Sequence, residues 1–342
     1  MNQLAPGPVT LMDVANEAGV SLATASRAFN GSKRKVGEEL RQRVLAAAVK
    51  LNYSANAPAQ AMAKGRTNVV GLVVHDIADP YFSSIAAGVV RAADEHHLLV
   101  SLGTTVHRPE RELEYLASLR GQRSRAAILV GSRTADARLT ARLSREIVAF
   151  QGSGGHVVAV SQAKFPVDTI AIENRKGARA LAAELVELGY RRFAVLAGPT
   201  ELLTAKDRVN GFRDALTKAG LPAPVLLRGA FTRDGGHDAM AHLLDSHHQV
   251  DCVFAVNDVM AVGAMAACRT RGVRPGIDIG LAGFDDIGTL RDIHPSLTTV
   301  RLPLEQIGEL ALELVLTADH QPPRRRRVSG EVVIRDSTPR RV

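Results

Sequence analysis

The sequence predicts two kinds of architecture in one chain: a small all-α unit at the N-terminus containing a helix-turn-helix, then a larger α/β core of doubly wound parallel sheets. Three observations carry this. Residues 9–30 (VTLMDVANEAGVSLATASRAFN) space Ala15, Gly19 and Ala25 at offsets of four and ten. That spacing puts small residues where two helices cross and a glycine, free to take positive φ, in the turn between them. From Val69 onward, short apolar runs alternate with amphipathic stretches of roughly 10–15 residues, the pattern of repeated βα units. The runs are apolar nearly throughout, as strands covered on both faces must be.

Taken in order, Ser21 stands ready to cap a second helix beginning at Leu22. A second helix in this position is the element that enters a DNA major groove; a generic helical hairpin is the alternative. A third helix is expected from about Gly37 through EELRQRVLAAAVKLNY. Leu40, Val44, Ala47 and Leu51 share its apolar spacing, and Glu38 and Glu39 sit at the positive end of its dipole. Asn56 can cap a short helix over 57–63, with Pro58 in its first turn. Such a helix is too short to hold in water by itself and is expected to fold on its partner. The strands follow at 69–74, 98–103, 126–131, 157–161, 193–198, 252–257 and 279–284, with helices in PERELEYLASLRG and RKGARALAAELVELGY. A core of this length is large for one sheet, so two subdomains are expected. The PPRRRR run at 322–327 is expected as an exposed loop of solvated arginines.

Composition narrows the function classes. The chain has 342 residues, 46% hydrophobic and 23% charged, which suits a folded globular protein. No apolar run approaches the roughly 20 residues of a membrane span, and no signal-peptide core precedes the first helix. Cys252 and Cys268 supply no disulfide framework and no metal spacing. A cytoplasmic location is therefore expected. Net charge is +8, and up to Arg66 nine bases oppose four acids, leaving +5 in about a fifth of the chain. Positive charge gathered beside a helix-turn-helix is the footprint of phosphate binding. The histidines at 96–97, 237, 242, 247 and 248 do not fall at i, i+4 on one helix face. QGSGG at 151–155 lacks the strand and helix that a phosphate cradle needs. Neither an enzyme nor a resident cofactor or metal is expected.

The helix-turn-helix, the segment SANAPAQAMAKGRTNVVGLVV, and then DPYF (79–82), LGYRRFAVLAGP (188–199), RVNGFRDAL (208–216), FAVNDVMAVGA (254–264), GFDDI (283–287) and LTTVRLP (297–303) occur in one order. Together they resemble the LacI/GalR family of bacterial transcription regulators over nearly the whole chain. The resemblance implies a periplasmic-binding-protein-like core in which the chain crosses between subdomains near Ile172, Val300 and Glu331. The implied organisation is a headpiece at 1–55, a hinge at 56–66 and a core at 67–342. Within the core the N-subdomain takes about 67–171 and 301–330, and the C-subdomain about 172–300 and 331–342. The implied function is a sequence-specific DNA-binding regulator, a repressor. Its homodimer meets a pseudo-palindromic operator, and a polyhydroxy effector, a sugar, controls its affinity. No leucine heptads follow the core, so a dimer is expected rather than a tetramer. A solute-binding receptor of the same core fold and a nucleoside-responsive regulator are the alternatives.

The residues assigned to DNA are Thr10, Ser21, Leu22, Ala23, Thr24, Ser26, Arg27, Asn30, Lys33, Asn56, Ala59 and Met62. Leu22 and Ala23 match the two positions that choose operator bases; both are apolar and suit thymine methyls. Arg27 is the best direct reader, since arginine to guanine is the commonest specific contact, with a phosphate clamp as its alternative. Thr24 and Ser26 fix register on phosphates. Met62 stands where the family places a leucine wedge in the minor groove, and packing on the headpiece is its alternative. The effector residues implied are Tyr81, Phe82, Arg208, Phe231, Asn257 and Asp285. Guanidinium, amide and carboxylate together suit neighbouring hydroxyls. Turn caps at strand ends are the alternative for Asn257 and Asp285, a surface helix position for Arg208, and core burial for Phe82 and Phe231. His75-Asp76, Asp79 and Glu173-Asn174 depart from the family's usual residues.

Overall fold

The structure, a computed structural model, describes residues 9–30, 36–53, 65–106, 108–246, 248–317 and 323–341. Lys33, Asn56, Ala59 and Met62 lie outside the described residues, as does the side chain of Asn30. The chain divides into two compact units, 1–67 and 68–342.

The first unit holds helices α1 (Leu11–Glu17), α2 (Leu22–Asn30) and α3 (Glu38–Lys50). Thr10 opens α1 through a capping box: its backbone N–H donates to Asp13 Oδ2 at 2.8 Å, and its hydroxyl accepts from the Asp13 N–H. Those bonds hold the Asp13 carboxyl below the usual carboxylate range. Gly19 turns the chain at φ +62°, the left-handed region that a side chain disfavours. Ser21 Oγ accepts from the Thr24 N–H at 3.2 Å and so starts α2. Val14, Ala15, Ala18, Ala25, Ala28, Val44, Ala47 and Ala48 form the core. Six alanines and two valines can meet only at close range, so the interior is thin and its helix ends are tied elsewhere. Arg43 donates to the Ala18 carbonyl at 2.7 Å, and Lys50 meets Glu17 at 2.6 Å. Leu40 departs from expectation: it is 37% exposed on the first turn of α3, where neither α1 nor α2 covers it.

The second unit has two lobes. The first lobe contains β1 (Val69–Val74), α4 (Pro80–Glu95), β2 (Leu99–Thr104), α5 (Arg111–Gly121), β3 (Ala126–Val130), α6 (Ala137–Gly152), β4 (His156–Val160) and β5 (Asp168–Ile172). The second contains α7 (Asn174–Glu187), β6 (Phe193–Ala197), α8 (Leu203–Lys218), β7 (Val225–Arg228), α9 (Arg233–Asp245), β8 (Cys252–Ala255), α10 (Asp258–Thr270) and β9 (Gly280–Ala282). The chain then passes through β10 (Thr299–Arg301) to α11 (Leu304–Leu316) and β11 (Arg325–Val328), which belong to the first lobe. It returns through β12 (Glu331–Val333). Sheet order is β11-β5-β4-β3-β1-β2 in the first lobe and β7-β6-β8-β9 in the second, every pairing parallel. Among the described strands, β10 and β12, the crossing strands, pair antiparallel. In the first lobe α11 lies against α4 so closely that a Cβ at Gly88 would stand 2.0 Å from the Glu305 carbonyl oxygen.

The PPRRRR expectation is corrected. Residues 325–328 form edge strand β11 on β5, not a loop. Arg324 is held, not solvated: its Nε donates to Asp168 at 3.1 Å, its backbone N–H at 2.7 Å, and Nη1 reaches the Thr317 hydroxyl. Asp168, itself 3% exposed, accounts for the difference, since a buried carboxylate draws the nearest guanidinium in. Arg325, Arg326 and Arg327 remain exposed along the free edge, where like charge discourages pairing with another strand.

A second ion pair is buried outright. Arg133 binds Glu112 with two bonds, 2.7 and 2.8 Å, both side chains at most 5% exposed. Glu112→Ala, which strands the guanidinium, should lower unfolding free energy by about 3–5 kcal/mol. The double variant Glu112→Leu/Arg133→Met should cost much less. Chemical denaturation of the two variants checks this, and equal losses would contradict it.

Candidate functional site

Between the two lobes lies a cavity of ≈ 460 Å³. Its walls are the C-terminal ends of strands: His75 after β1, Gly131 after β3, Ser161 after β4, Pro199 after β6, Phe231 after β7, Asn257 after β8 and Asp285 after β9. Open parallel sheets present their ligands at these ends, because successive loops splay apart there.

Arg208 is the centre of the cavity floor. It projects from α8 and is 2% exposed. Its Nη2 donates to Asp285 Oδ1 at 2.7 Å and Nη1 to Asp285 Oδ2 at 3.3 Å. Nη1 also donates to the Val256 carbonyl at 2.7 Å, and Nε to Asn174 Oδ1 at 2.9 Å. The guanidinium lies over the Phe284 ring, 3.9 Å from its centroid. So α7, α8, β8 and β9 all converge on one planar group, held by fork-like bonds that a lysine could not reproduce. Asp285 turns with φ +122°, a conformation side chains rarely adopt, which aims its carboxylate back at Arg208. Burial pushes the Asp285 carboxyl upward, and the charge of Arg208 opposes this.

Asn257 begins α10, its Oδ1 accepting from the Met260 N–H at 3.0 Å. The capping role and a place on the cavity wall therefore coexist, because the amide NH2 is not needed for the cap. Tyr81 and Phe82 enter from the first turn of α4, edge to face with centroids 4.9 Å apart. Phe82 is 7% exposed and belongs mainly to the core. Phe231 is half-buried, packed over Gly198. All six sequence-assigned effector residues thus line one cavity.

Sequence reasoning missed the residues that join the lobes. Gln162 donates to the Thr204 hydroxyl at 2.9 Å, the Thr204 N–H donates to Ser132 Oγ at 3.1 Å, and the Leu203 N–H to the Arg133 carbonyl at 3.0 Å. It also missed Asn174 as the partner of Arg208. Position was the available signal: 132, 162 and 174 each follow a strand by one or two residues. Single polar residues there look like ordinary turn formers.

In the headpiece, Leu22 and Ala23 are exposed on the first turn of α2, and Thr24, Ser26 and Arg27 are half-buried. The Ser21 and Thr24 hydroxyls lie 2.9 Å apart. Thr10 and Ser21 both serve as caps, which spends part of their bonding capacity inside the unit. No group of three or more potential metal ligands occurs among the described residues.

Residues 10–56 match the family model described as bacterial regulatory proteins, lacI family. Residues 67–334 match that of periplasmic binding proteins and sugar binding domain of LacI family. The regulator GalS of Salmonella typhimurium is 33% identical over 312 residues, 90% of this chain and 89% of that protein. Among solved structures, a Lac repressor dimer bound to operator and an anti-inducer is similar with TM-score 0.83 and 26% identity, over 97% of this chain and 99% of that one. A CelR–cellobiose complex is similar with TM-score 0.67 and 30% identity, over 96% and 99%.

One buried acid behind the cavity gives a pH test. Asp258 accepts from the Thr299 hydroxyl at 2.7 Å and the Ile287 N–H at 3.0 Å. Burial nevertheless pushes its carboxyl from 3.8 to about 6. The folded protein therefore keeps a proton that the unfolded chain has lost between these values, and stability present below pH ~4 falls as pH rises through ~6. Asp258→Asn should flatten that slope in urea unfolding between pH 4 and 7; an unchanged slope would show the carboxylate is ionised throughout.

Proposed function

The chain belongs to the LacI family of bacterial regulatory proteins, and on that premise we propose that it is a transcriptional repressor whose operator affinity is set by a polyhydroxy molecule bound around Arg208. The observation that carries the reading is the Arg208–Asp285–Asn174 constellation at strand ends between two lobes, in a chain that begins with a separate helix-turn-helix. A fixed guanidinium, a carboxylate and the Asn257 amide offer donors and acceptors at hydroxyl spacing, and Phe231 and Tyr81 offer apolar faces to a sugar ring. The protein acts by binding, without chemical turnover, in the cytoplasm where its DNA is.

The division proposed is a reader at 1–55, a hinge at 56–66 and an effector core at 67–342, whose N-subdomain is 67–171 with 301–330 and whose C-subdomain is 172–300 with 331–342. A homodimer presents two readers to the two halves of a pseudo-palindromic operator. The exposed apolar residues Leu99 and Leu102 on β2 and Val90 on α4 favour pairing of two copies along that side of the core. Leu22 and Ala23 select bases by apolar contact, Arg27 by hydrogen bonds, while Thr10, Ser21, Thr24, Ser26, Asn30 and Lys33 hold the backbone. The hinge residues Asn56, Ala59 and Met62 act in the minor groove, Met62 as the wedge. Effector binding shifts the population of lobe arrangements, and the bonds of Thr204 to Ser132 and Gln162 are those that a lobe rotation must break or remake.

Arg208→Ala should abolish the effector response in an operator-binding titration while effector-free operator affinity stays the same; a retained response would place the effector elsewhere. Arg208→Lys should not restore it. Arg27→Ala should cost about 1–3 kcal/mol at one base pair and relax preference there. Equal loss on every operator variant would instead make Arg27 a phosphate clamp.

A further inference from the structure

The charge around the cavity says more than its hydroxyl-binding groups do. Arg208 is the only arginine or lysine lining it among the described residues, and its guanidinium is taken up by Asp285, Asn174 and the Val256 carbonyl. His75 is the other basic side chain there, its ring against Phe82 and close to Gly131. Carboxylates outnumber these: Asp79 and Glu201 line the cavity beside Asp285. The charges of Asp258 and Asp79 both add to the cost of a charge on Asp285.

Helix N-termini would ordinarily offset this. The N-termini of α4, α7, α8, α9 and α10 reach the cavity, and such ends attract anions. At four of these the protein already supplies a partner to the first turn, while α7 has no side-chain cap. Asp79 accepts from the Tyr81 N–H at 2.9 Å and Thr232 from the Gly235 N–H at 3.1 Å. Asn257 caps α10, whose first residue is Asp258. At α8, Glu201 lies just before the helix, and the first N–H groups donate across the cleft to the Arg133 carbonyl and Ser132 Oγ.

We propose that the cavity selects an uncharged polyhydroxy ligand, a neutral sugar, and rejects its phosphorylated and carboxylated derivatives. This rests on the cavity being the effector site. An incoming anion would find no arginine or lysine without a partner of its own, would compete at most of the helix ends with bonds already made, and would sit against Asp79 and Glu201. Hydroxyls, by contrast, can donate to those carboxylates and accept from the Asn257 amide.

The test is calorimetric or thermal-shift titration of the intact protein with matched pairs: galactose and galactose 1-phosphate, ribose and ribose 5-phosphate, cellobiose and cellobionate, uridine and uridine 5′-monophosphate. The expected result is binding by at least one neutral member, with its anionic partner weaker by about tenfold or more because like charges are opposed. In Glu201→Gln the gap between the two should narrow severalfold. An anionic member binding as tightly as its neutral partner overturns the inference and leaves the effector site standing. Silence from every member, neutral and anionic, counts against the effector site and takes the inference with it.

Discussion

The core depends on one buried ion pair with an uncommon number of obligations. Arg208 and Asp285 neutralise each other at 2.7 Å, but the same guanidinium also binds Asn174 and the Val256 carbonyl and lies on Phe284. A buried pair of this kind adds little net stability, since desolvation offsets most of the attraction. What it supplies is position. Losing either partner would leave an uncompensated charge, so the ends of β8 and β9 and the starts of α7 and α8 are held in one geometry. A ligand that meets this cluster meets a rigid floor, and rigidity lets small differences in ligand shape become differences in lobe arrangement.

Around that floor, the lobes are joined by weaker and more local contacts. Gln162, Ser132 and the Arg133 carbonyl meet the first turn of α8, while β10 and β12 carry the chain across. The contrast suits a clamp: a fixed floor on one lobe, and between lobes a few hydrogen bonds that water can replace at small cost. The headpiece is built on different terms. Its interior is mostly alanine, and its helix ends are fastened by Arg43 on Ala18 and Lys50 on Glu17.

Much of this was legible in the residues, and the exceptions share a cause. Strands such as VVGLVV and AAILV declare themselves because parallel strands buried on both faces must be apolar throughout. Strands VLLR and RRRV did not, since they lie at sheet edges, where one side meets solvent and polar residues are tolerated. DTIAI did not, because its buried Asp168 and Thr169 break the apolar run, and Asp168 is satisfied by the distant Arg324. The run at 322–327 reads locally as a loop, because the partner that holds Arg324, Asp168, is 156 residues away and no local pattern links them. Arg208, Asn257 and Asp285 were visible through the motifs around them. Asn174, Gln162 and Thr204 were not, because their roles exist only once two lobes meet. Leu40 shows the opposite error: helical spacing alone cannot say whether the first turn of a helix reaches past its neighbours.

The claim on which the account stands is that the Arg208 cavity and the N-terminal reader are coupled. Linkage makes the coupling reciprocal, so it can be measured from the ligand side. The direct measurement is ligand affinity by calorimetry, first with protein alone and then with protein saturated by operator duplex. The account predicts a change of about 5–150-fold, equal to the factor by which ligand changes operator affinity, since couplings of this kind amount to roughly 1–3 kcal/mol. Identical ligand affinity in the two titrations would contradict it.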